Sequence, residues 1–538
     1  MTDWNIADIW EAVADMIPSA PALIHGDRQV TWAAFNSRAD AVAQGLLASG
    51  VSRQDKVAHY LYNGTEYLES TFALFKIGLV PVNTNYRYTD DELLYLWDNA
   101  DAVAVIFHGA FVERIEGLRQ RVPVVRLWLW VDDGSGPCPE WASSYEEIAS
   151  RPGPKAEAPW GRSGDDLLML YTGGTTGMPK GVMWRQDDLF CRINGGNLLR
   201  VPEDGGIEGL RKAVVGPGPR IIPACPLMHG TGSFTSIGSL NVGGCVVTLT
   251  NRRFDPTELL DTVDRENVNV IALVGDAFAK PILTALDEHQ GRWKLSTLVA
   301  MISSGVMFSE ETKKGLLRHH PTMMIIDAFS SSEALGMGAS VSSGSSTEHT
   351  AHFTLGPDVR VLDPESGKNV LPGSGEVGVL ALGGRNPVGY YKDPQKSDAT
   401  FREIDGIRYS IPGDFATVDA DGSIQLLGRG SVVINTGGEK VFPEEVEEAL
   451  KTFPTVRDAV AVAIPDERFG EVVAAVVELQ PGAPQPAEQD LIDHVKARLA
   501  AYKAPKRIRF VASIERSPAG KIDYARHRSE TVAWATGS

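Results

Sequence analysis

Leu167-Leu168-Met169-Leu170-Tyr171-Thr172-Gly173-Gly174-Thr175-Thr176-Gly177-Met178-Pro179-Lys180-Gly181 joins an apolar, strand-like run to a loop of four glycines and three threonines, with Lys180 near its close. Glycine lets the backbone turn tightly and bring N–H groups against an anion. The threonine hydroxyls add donors and Lys180 adds a positive charge. These are the parts of a phosphate cradle reached from a strand. It is not a Walker A loop, which needs Gly-Lys-Ser/Thr, because Pro179 precedes the lysine here. A Gly/Thr-rich surface turn is the plainer reading, but it fits a short string better than one of this length.

Upstream of the loop, helix and strand patterns alternate. Thr31 can cap a helix whose apolar positions Phe35, Ala39, Val42 and Leu46 are spaced by four, three and four, and Gly50 can end it. Residues 56–61 read as a strand, and 65–77 as a helix stopping at Gly78. Thr89 with Glu92 has the capping-box pattern for a helix over 90–99, and 102–107 reads as a buried strand. Such alternation predicts a parallel sheet covered by helices. Residues 132–139 and 200–220, rich in Gly and Pro, read as loops.

The chain of 538 residues exceeds one core of ~100–200 residues, so a large α/β region and a smaller domain are expected. A hydrophobic content of 43% with 22% charged residues excludes global disorder. The 69 acidic and 51 basic residues give a net charge of −18, which disfavours a general nucleic-acid binder. Cys138, Cys191, Cys225 and Cys245 are far apart, so neither a zinc knuckle nor a disulfide framework is indicated. A reducing compartment fits. With no signal-peptide pattern and no apolar run near ~20 residues, a cytoplasmic location without an integral membrane segment is the expectation. Residues 494–528 stand out, with ten Lys or Arg against Glu515 and Asp523. They are either a solvated face or part of a small domain that meets polyphosphate.

The 171–181 string resembles the phosphate loop of the adenylate-forming (AMP-binding) superfamily of acyl-CoA synthetases, peptide-synthetase adenylation domains and firefly luciferase. Further strings resembling that family's motifs follow in order. Pro226-Leu227-Met228-His229-Gly230-Thr231-Gly232 resembles the segment bordering the acyl pocket, which would put His229 beside the acyl and thiol channel. An ordinary loop histidine is the other reading. Ser303-Ser304-Gly305-Val306 resembles the turn that packs on adenine. Phe329-Ser330-Ser331-Ser332-Glu333 resembles the aromatic-Gly-x-Thr-Glu motif, with Ser330 for Gly and Ser332 for Thr. The resemblance implies Phe329 stacked on adenine, a Ser332 hydroxyl at the α-phosphate, and Glu333 on Mg2+ together with Thr176. Tyr409-Ser410-Ile411-Pro412-Gly413-Asp414 matches the motif whose aspartate accepts both ribose hydroxyls, a task suited to a carboxylate. Gly428-Arg429 resembles the pair that reads the ribose and begins the hinge. Ser517-Pro518-Ala519-Gly520-Lys521 matches the loop carrying the catalytic lysine.

The resemblance implies an N-terminal multi-layer α/β domain over 1–428, a hinge over 429–433, and a smaller mobile α+β cap over 434–538. It implies an acid–thiol ligase using ATP, Mg2+ and coenzyme A. The carboxylate would attack the α-phosphorus of ATP, and a thiolate would then attack the acyl carbon. Catalytic roles would fall to Lys521, Thr176, Glu333 and His229. Nucleotide contacts would come from Thr172, Gly173, Gly174, Thr175, Thr176, Lys180, Ser304, Gly305, Phe329, Ser330, Ser332, Asp414, Arg429 and Lys521. The hinge departs from the family's Gly-Arg-x-Lys-Asp, reading Gly428-Arg429-Gly430-Ser431-Val432 with no charge at the pivot, where Gly430 could supply flexibility. Residues 171–184, 387–392 and 428–447 look similar to actinobacterial fatty-acyl and steroid-side-chain CoA ligases. A homodimer is compatible with this. The alternatives are an enzyme loading a carrier protein, a luciferase-like oxygenase, and a non-catalytic nucleotide-binding protein.

Overall fold

The computed structural model describes residues 3–174, 177–197, 199–306, 308–344, 351–436, 439–466, 469–516 and 522–537. The described chain divides into two compact units. The first holds Met1–Gly174, Met178–Thr350 and Leu382–Ser410, and the second holds chiefly Ala351–Ala381 and Ile411–Ser538.

In the first unit an eight-stranded sheet runs in the order Gly389–Tyr390, Gly177–Arg185, Leu167–Gly174, Val80–Asn83, Lys56–Tyr60, Ala102–His108, Leu127–Val131, Ser143–Ser144. From Leu167–Gly174 to Ser143–Ser144 the pairings are parallel. Alternate residues feed different cores. Val57, Ile106 and Leu129 pack with the rings of Trp10, Phe35, Phe72 and Phe75. Ala58, Val105, Phe107 and Trp128 pack with Trp97 and Ile115. Burial on both faces explains why these strands read as continuous apolar runs. A second series of paired strands runs Arg28–Thr31, Pro21–His25, Cys245–Thr248, Arg220–Pro223, Val270–Leu273, Ala300–Ser304, Met324–Ser331, Ala334–Ser342.

The helix starts follow the sequence. Thr31 Oγ1 accepts the Ala34 N–H at 3.2 Å, capping Trp32–Ala48. Thr89 and Glu92 form the reciprocal box before Asp90–Asn99. One expectation fails. Within 200–220, Gly206–Ala213 is a helix, because Ile207 and Leu210, spaced by three, pack on the main core. Gly205 and Gly206 stand at its start and Gly216 and Gly218 beyond its end, which leaves Gly209 as the glycine inside it.

In the second unit His352–Leu355, Ile424–Arg429 and Asp414–Val418 are neighbouring strands, with residues 377–381 beyond. A five-stranded sheet holds Glu439–Val441, Ile434–Thr436, Gly470–Leu479 and Val456–Asp466, with Arg507–Val511 parallel to Gly470–Leu479. Its faces are covered by Pro443–Lys451 with Glu488–Lys496, and by Tyr524–Thr536. Residues 351–381 and 411–428 cluster with the C-terminal part, since Pro443–Lys451 packs on Ile424–Arg429. Among the described residues no helix is long and apolar enough to cross a membrane.

Candidate active site

Thr172, Gly173 and Gly174 end the strand Leu167–Gly174, and Lys180 lies in its neighbour Gly177–Arg185. Thr175 and Thr176 lie outside the described residues. The strand end is fixed through Tyr171. Its N–H donates to Asn83 Oδ1 at 2.6 Å, its carbonyl accepts from Asn83 Nδ2 at 2.8 Å, and its hydroxyl donates to Asn99 Oδ1 at 2.6 Å. A Cβ on Gly181 would stand 2.7 Å from Tyr171 Cε2 and 2.8 Å from Met169 Sδ, so glycine there is a packing requirement. Lys180 Nζ sits 3.2 Å from Asp393 Oδ2 and 5.7 Å from the Tyr390 ring centroid. The Lys396 N–H, with help from Lys180, holds the Asp393 carboxyl below its ordinary range.

Phe329 and Ser330 lie at the end of Met324–Ser331, and Ser332 and Glu333 turn the chain into Ala334–Ser342. Trp184 Nε1 donates to the Ser332 carbonyl at 2.9 Å, and Ser410 Oγ to the Glu333 carbonyl at 2.7 Å. Tyr390 Oη donates to Glu333 Oε1 at 2.8 Å. The Gly336 N–H donates to Ser330 Oγ at 3.0 Å, so that hydroxyl stiffens the turn. Next to this strand, Ser304 ends Ala300–Ser304 in register with Ala328. Gly305 follows in a left-handed conformation, φ +91°, that favours glycine.

His229 is the N-cap of the helix Gly230–Leu240 and is half-buried. Thr231 Oγ1 donates to the Ser304 carbonyl at 3.5 Å. Asn83 Nδ2 donates to the Met228 carbonyl at 2.7 Å. The expected residues of the first unit are joined in three groups of contacts: Lys180–Tyr390–Glu333, Thr231–Ser304 on the strand next to that of Phe329, and Met228–Asn83–Tyr171 before His229 and Thr172.

In the second unit Asp414 is buried and is in register with Arg429, of which only the backbone is described. Arg429 is followed by the turn Gly430–Val432. Gly430 is hydrogen-bonded and closely packed in this arrangement. Its N–H donates to the Gly413 carbonyl at 2.9 Å, and an added Cβ would run into the Phe415 ring. Lys521 lies outside the described residues. The basic stretch is largely neutralised. Lys496, Lys503, Arg507, Arg509, Arg516, Arg526 and Arg528 pair with Asp493, Glu445, Glu488, Glu530, Asp458, Glu515 and Glu471.

Comparison with known proteins fits this arrangement. Residues 10–391 match the model of the AMP-binding enzyme family, and 445–521 that of the AMP-binding enzyme C-terminal domain. The chain belongs to the AMP-binding enzyme family. Among its relatives, the 3-oxocholest-4-en-26-oate–CoA ligase of Rhodococcus rhodochrous is 41% identical over 541 residues, covering 98% of this chain and 96% of that protein. The medium/long-chain-fatty-acid–CoA/3-oxocholest-4-en-26-oate–CoA ligase of Mycobacterium marinum is 40% identical, covering 98% and 97%. The anthranilate CoA ligase AuaEII, solved with anthranoyl-AMP, shares the fold with a TM-score of 0.85 at 23% identity, covering 100% of this chain and 99% of that one.

In this AMP-binding enzyme the sequence reading passed over the residues that hold the site's backbone. Asn83, Trp184, Tyr390, Asp393 and Ser410 have no role assigned from the sequence. Asn83 offered one local signal, a polar residue ending the apolar run Val80-Pro81-Val82. The others bond to partners far along the chain.

Proposed function

We propose that this chain, an acyl-CoA synthetase of the AMP-forming type, activates an apolar carboxylic acid, either a fatty acid or a steroid side-chain acid, with ATP and transfers the acyl group to coenzyme A. The carrying observation is the 40–41% identity, over nearly whole chains, to ligases whose names give those acids. The residues at the expected acid-binding edge support an apolar substrate. Val274, Gly275 and Ser303 are uncharged, and Ser303 Oγ is taken up by the Gly275 N–H at 2.9 Å.

The first half-reaction brings a carboxylate anion to a polyanion, so positive charge and orientation dominate its barrier. Thr172, Gly173, Gly174, Thr175, Thr176 and Lys180 would cradle the phosphates. Phe329, Ser304 and Gly305 would hold adenine, Ser330 would brace that turn and Ser332 would meet the α-phosphate. Asp414 and Arg429 would hold the ribose, and Lys521 would neutralise developing charge. The carboxylate oxygen bonds to phosphorus, pyrophosphate leaves, and acyl-AMP remains. In the second half the coenzyme A thiolate attacks the acyl carbon beside His229 and AMP leaves. Withdrawal of Lys521 by turning about 429–433 would separate the two halves.

Mg2+ fits the residues present. Among the described residues no group of three His, Cys, Asp or Glu could cage a metal ion. Mg2+ usually takes one or two carboxylates plus substrate phosphates and water. Glu333, oriented by Tyr390, is such a carboxylate, and Thr176 would be its companion. Bound there, Mg2+ would offset phosphate charge.

The test is AMP release from ATP, with coenzyme A present or omitted, over acids from acetate through long-chain fatty acids to aryl and steroid carboxylates. Turnover requiring coenzyme A and one apolar class is expected. Adenylation of the acid without coenzyme A-dependent turnover would overturn the acceptor assignment.

A further inference from the structure

We propose that Asn83 is a positioning residue that sets the distance between the phosphate-loop strand and the acyl-side segment at His229. This rests on the acyl-CoA synthetase reading. The strand Val80–Asn83 runs parallel to Leu167–Gly174, with Val82 opposite Met169, and it ends at Asn83. Past that point the Asn83 side chain continues the ladder. Its carboxamide accepts the Tyr171 N–H at 2.6 Å and donates to the Tyr171 carbonyl at 2.8 Å, as a peptide group would. Its Nδ2 also donates to the Met228 carbonyl at 2.7 Å. A carboxamide is the only neutral side-chain group with two donors and an acceptor in one plane. Asn83 is 7% exposed, so water does not compete for these bonds.

The segment held this way has a second hold of the same kind. Asn63 Oδ1 accepts the Leu227 N–H at 2.7 Å, and Asn63 Nδ2 donates to the Cys225 carbonyl at 3.1 Å. The difference is what lies at the other end. Asn63 grips 223–227, whereas Asn83 grips the next residue of that segment, Met228, and the phosphate-loop strand together. One amide therefore ties Tyr171, the residue before Thr172, to Met228, the residue before His229. Acid and α-phosphate must meet in line, and a misplacement of ~1 Å can cost ~10²-fold in rate. A node joining the two supports acts on the rate of their meeting more than on the binding of either partner.

Asn83→Asp preserves shape and the acceptor for Tyr171 N–H but removes both donations. We expect the adenylation kcat, followed by pyrophosphate exchange, to fall roughly 30–100-fold, with KM for ATP and for the acid within about threefold of wild type. Buried without a cation, the new carboxyl would have a raised pKa, so activity relative to wild type should recover as pH falls from 8 to 6 and one donor returns. Hydrogen exchange should quicken in 167–174 and 224–233 together, but only in 224–233 for Asn63→Ala. If Asn83→Asp fails to fold, Asn83→Ser carries the same kinetic and exchange expectations. Loss confined to KM, or exchange confined to one segment, would overturn the proposal. An inactive wild type would instead count against the synthetase reading, and the exchange pattern would still decide the role of Asn83.

Discussion

The Tyr390 hydroxyl donates to Glu333 Oε1 at 2.8 Å, and the two residues are 57 positions apart in sequence. The ring of the same tyrosine faces the Lys180 ammonium, 5.7 Å from its centroid. One side chain thus orients the proposed Mg2+ carboxylate and flanks the phosphate-loop lysine. Tyr390→Phe keeps the ring and deletes the bond. A hydrogen bond to a charged group is worth about 1.5–3 kcal/mol, so roughly a 10–100-fold loss is expected, concentrated in KM for ATP·Mg2+. Pyrophosphate exchange across a Mg2+ titration measures it. An unchanged Mg2+ dependence would detach Tyr390 from the metal role.

Lys521 is assigned to adenylation alone. Lys521→Ala should lower acyl-adenylate formation at least ~10²-fold. Thioester formation from supplied acyl-adenylate should stay within about threefold of wild type. Single-turnover assays of the separate halves decide this, and equal loss in both would refute the assignment.

Asp414 is buried at the start of its strand. A carboxylate that accepts both ribose hydroxyls contributes charge-assisted bonds, so Asp414→Ala should cost about 3 kcal/mol of ATP binding, roughly 100-fold. Calorimetric titration with ATP measures this directly. Equal affinities would remove Asp414 from the ribose site.

Far from the site, Glu11 binds Lys76 Nζ at 2.6 Å, Arg162 Nη2 at 2.5 Å and Lys155 Nζ at 2.8 Å. Burial, the largest single influence, would raise its pKa, but the hydrogen bonds from Arg162 and Lys155 and the charges of Lys76 and Arg162 together outweigh it and hold it at about 2, against 4.5. The native chain therefore binds this proton less readily than the unfolded chain. The stabilisation is complete above pH ~4.5, is lost as pH falls toward 2, and amounts to about 3 kcal/mol. Glu11→Gln should be less stable by that order at pH 6, and the gap should close in denaturant melts at progressively lower pH. A gap independent of pH would mean that packing, rather than charge, holds the helix Ile6–Met16.

Local signals were legible where one element contains its own cause. The caps at Thr31 and at Thr89 with Glu92, the four-three-four spacing in Trp32–Ala48, and the apolar runs of the parallel strands all depend on neighbours within a turn or two. Ser304 and Phe329 stand at or near the carboxyl ends of the parallel neighbours Ala300–Ser304 and Met324–Ser331, where an open parallel sheet presents its ligand-facing loops. The supports were not legible. Asn83 with Tyr171, separated by 88 positions, and Tyr390 with Glu333 meet only once strand order is set, and strand order leaves no trace in periodicity. Gly206–Ala213 was hidden for another reason. Its glycines outweighed the brief Ile207–Leu210 spacing in a composition reading, while burial against a distant core decided the outcome.

Gly428 tests the hinge region most sharply. Its φ is +111°, and an added Cβ would overlap the Glu444 carboxylate on the helix Pro443–Lys451. Gly428→Ala should therefore carry two costs. Backbone strain is about 1–3 kcal/mol for a non-glycine residue in such a conformation, and displacement of Glu444 adds to it. Glu444→Ala removes only the second. In a double-mutant cycle the pair should be more stable than the sum of the single effects by about 1–2 kcal/mol. The same substitution should slow whichever half-reaction uses this arrangement of strand and helix more than the other. Additive stabilities would show that Gly428 is glycine for its backbone conformation alone, and would leave Glu444 no part in holding the strand to the helix.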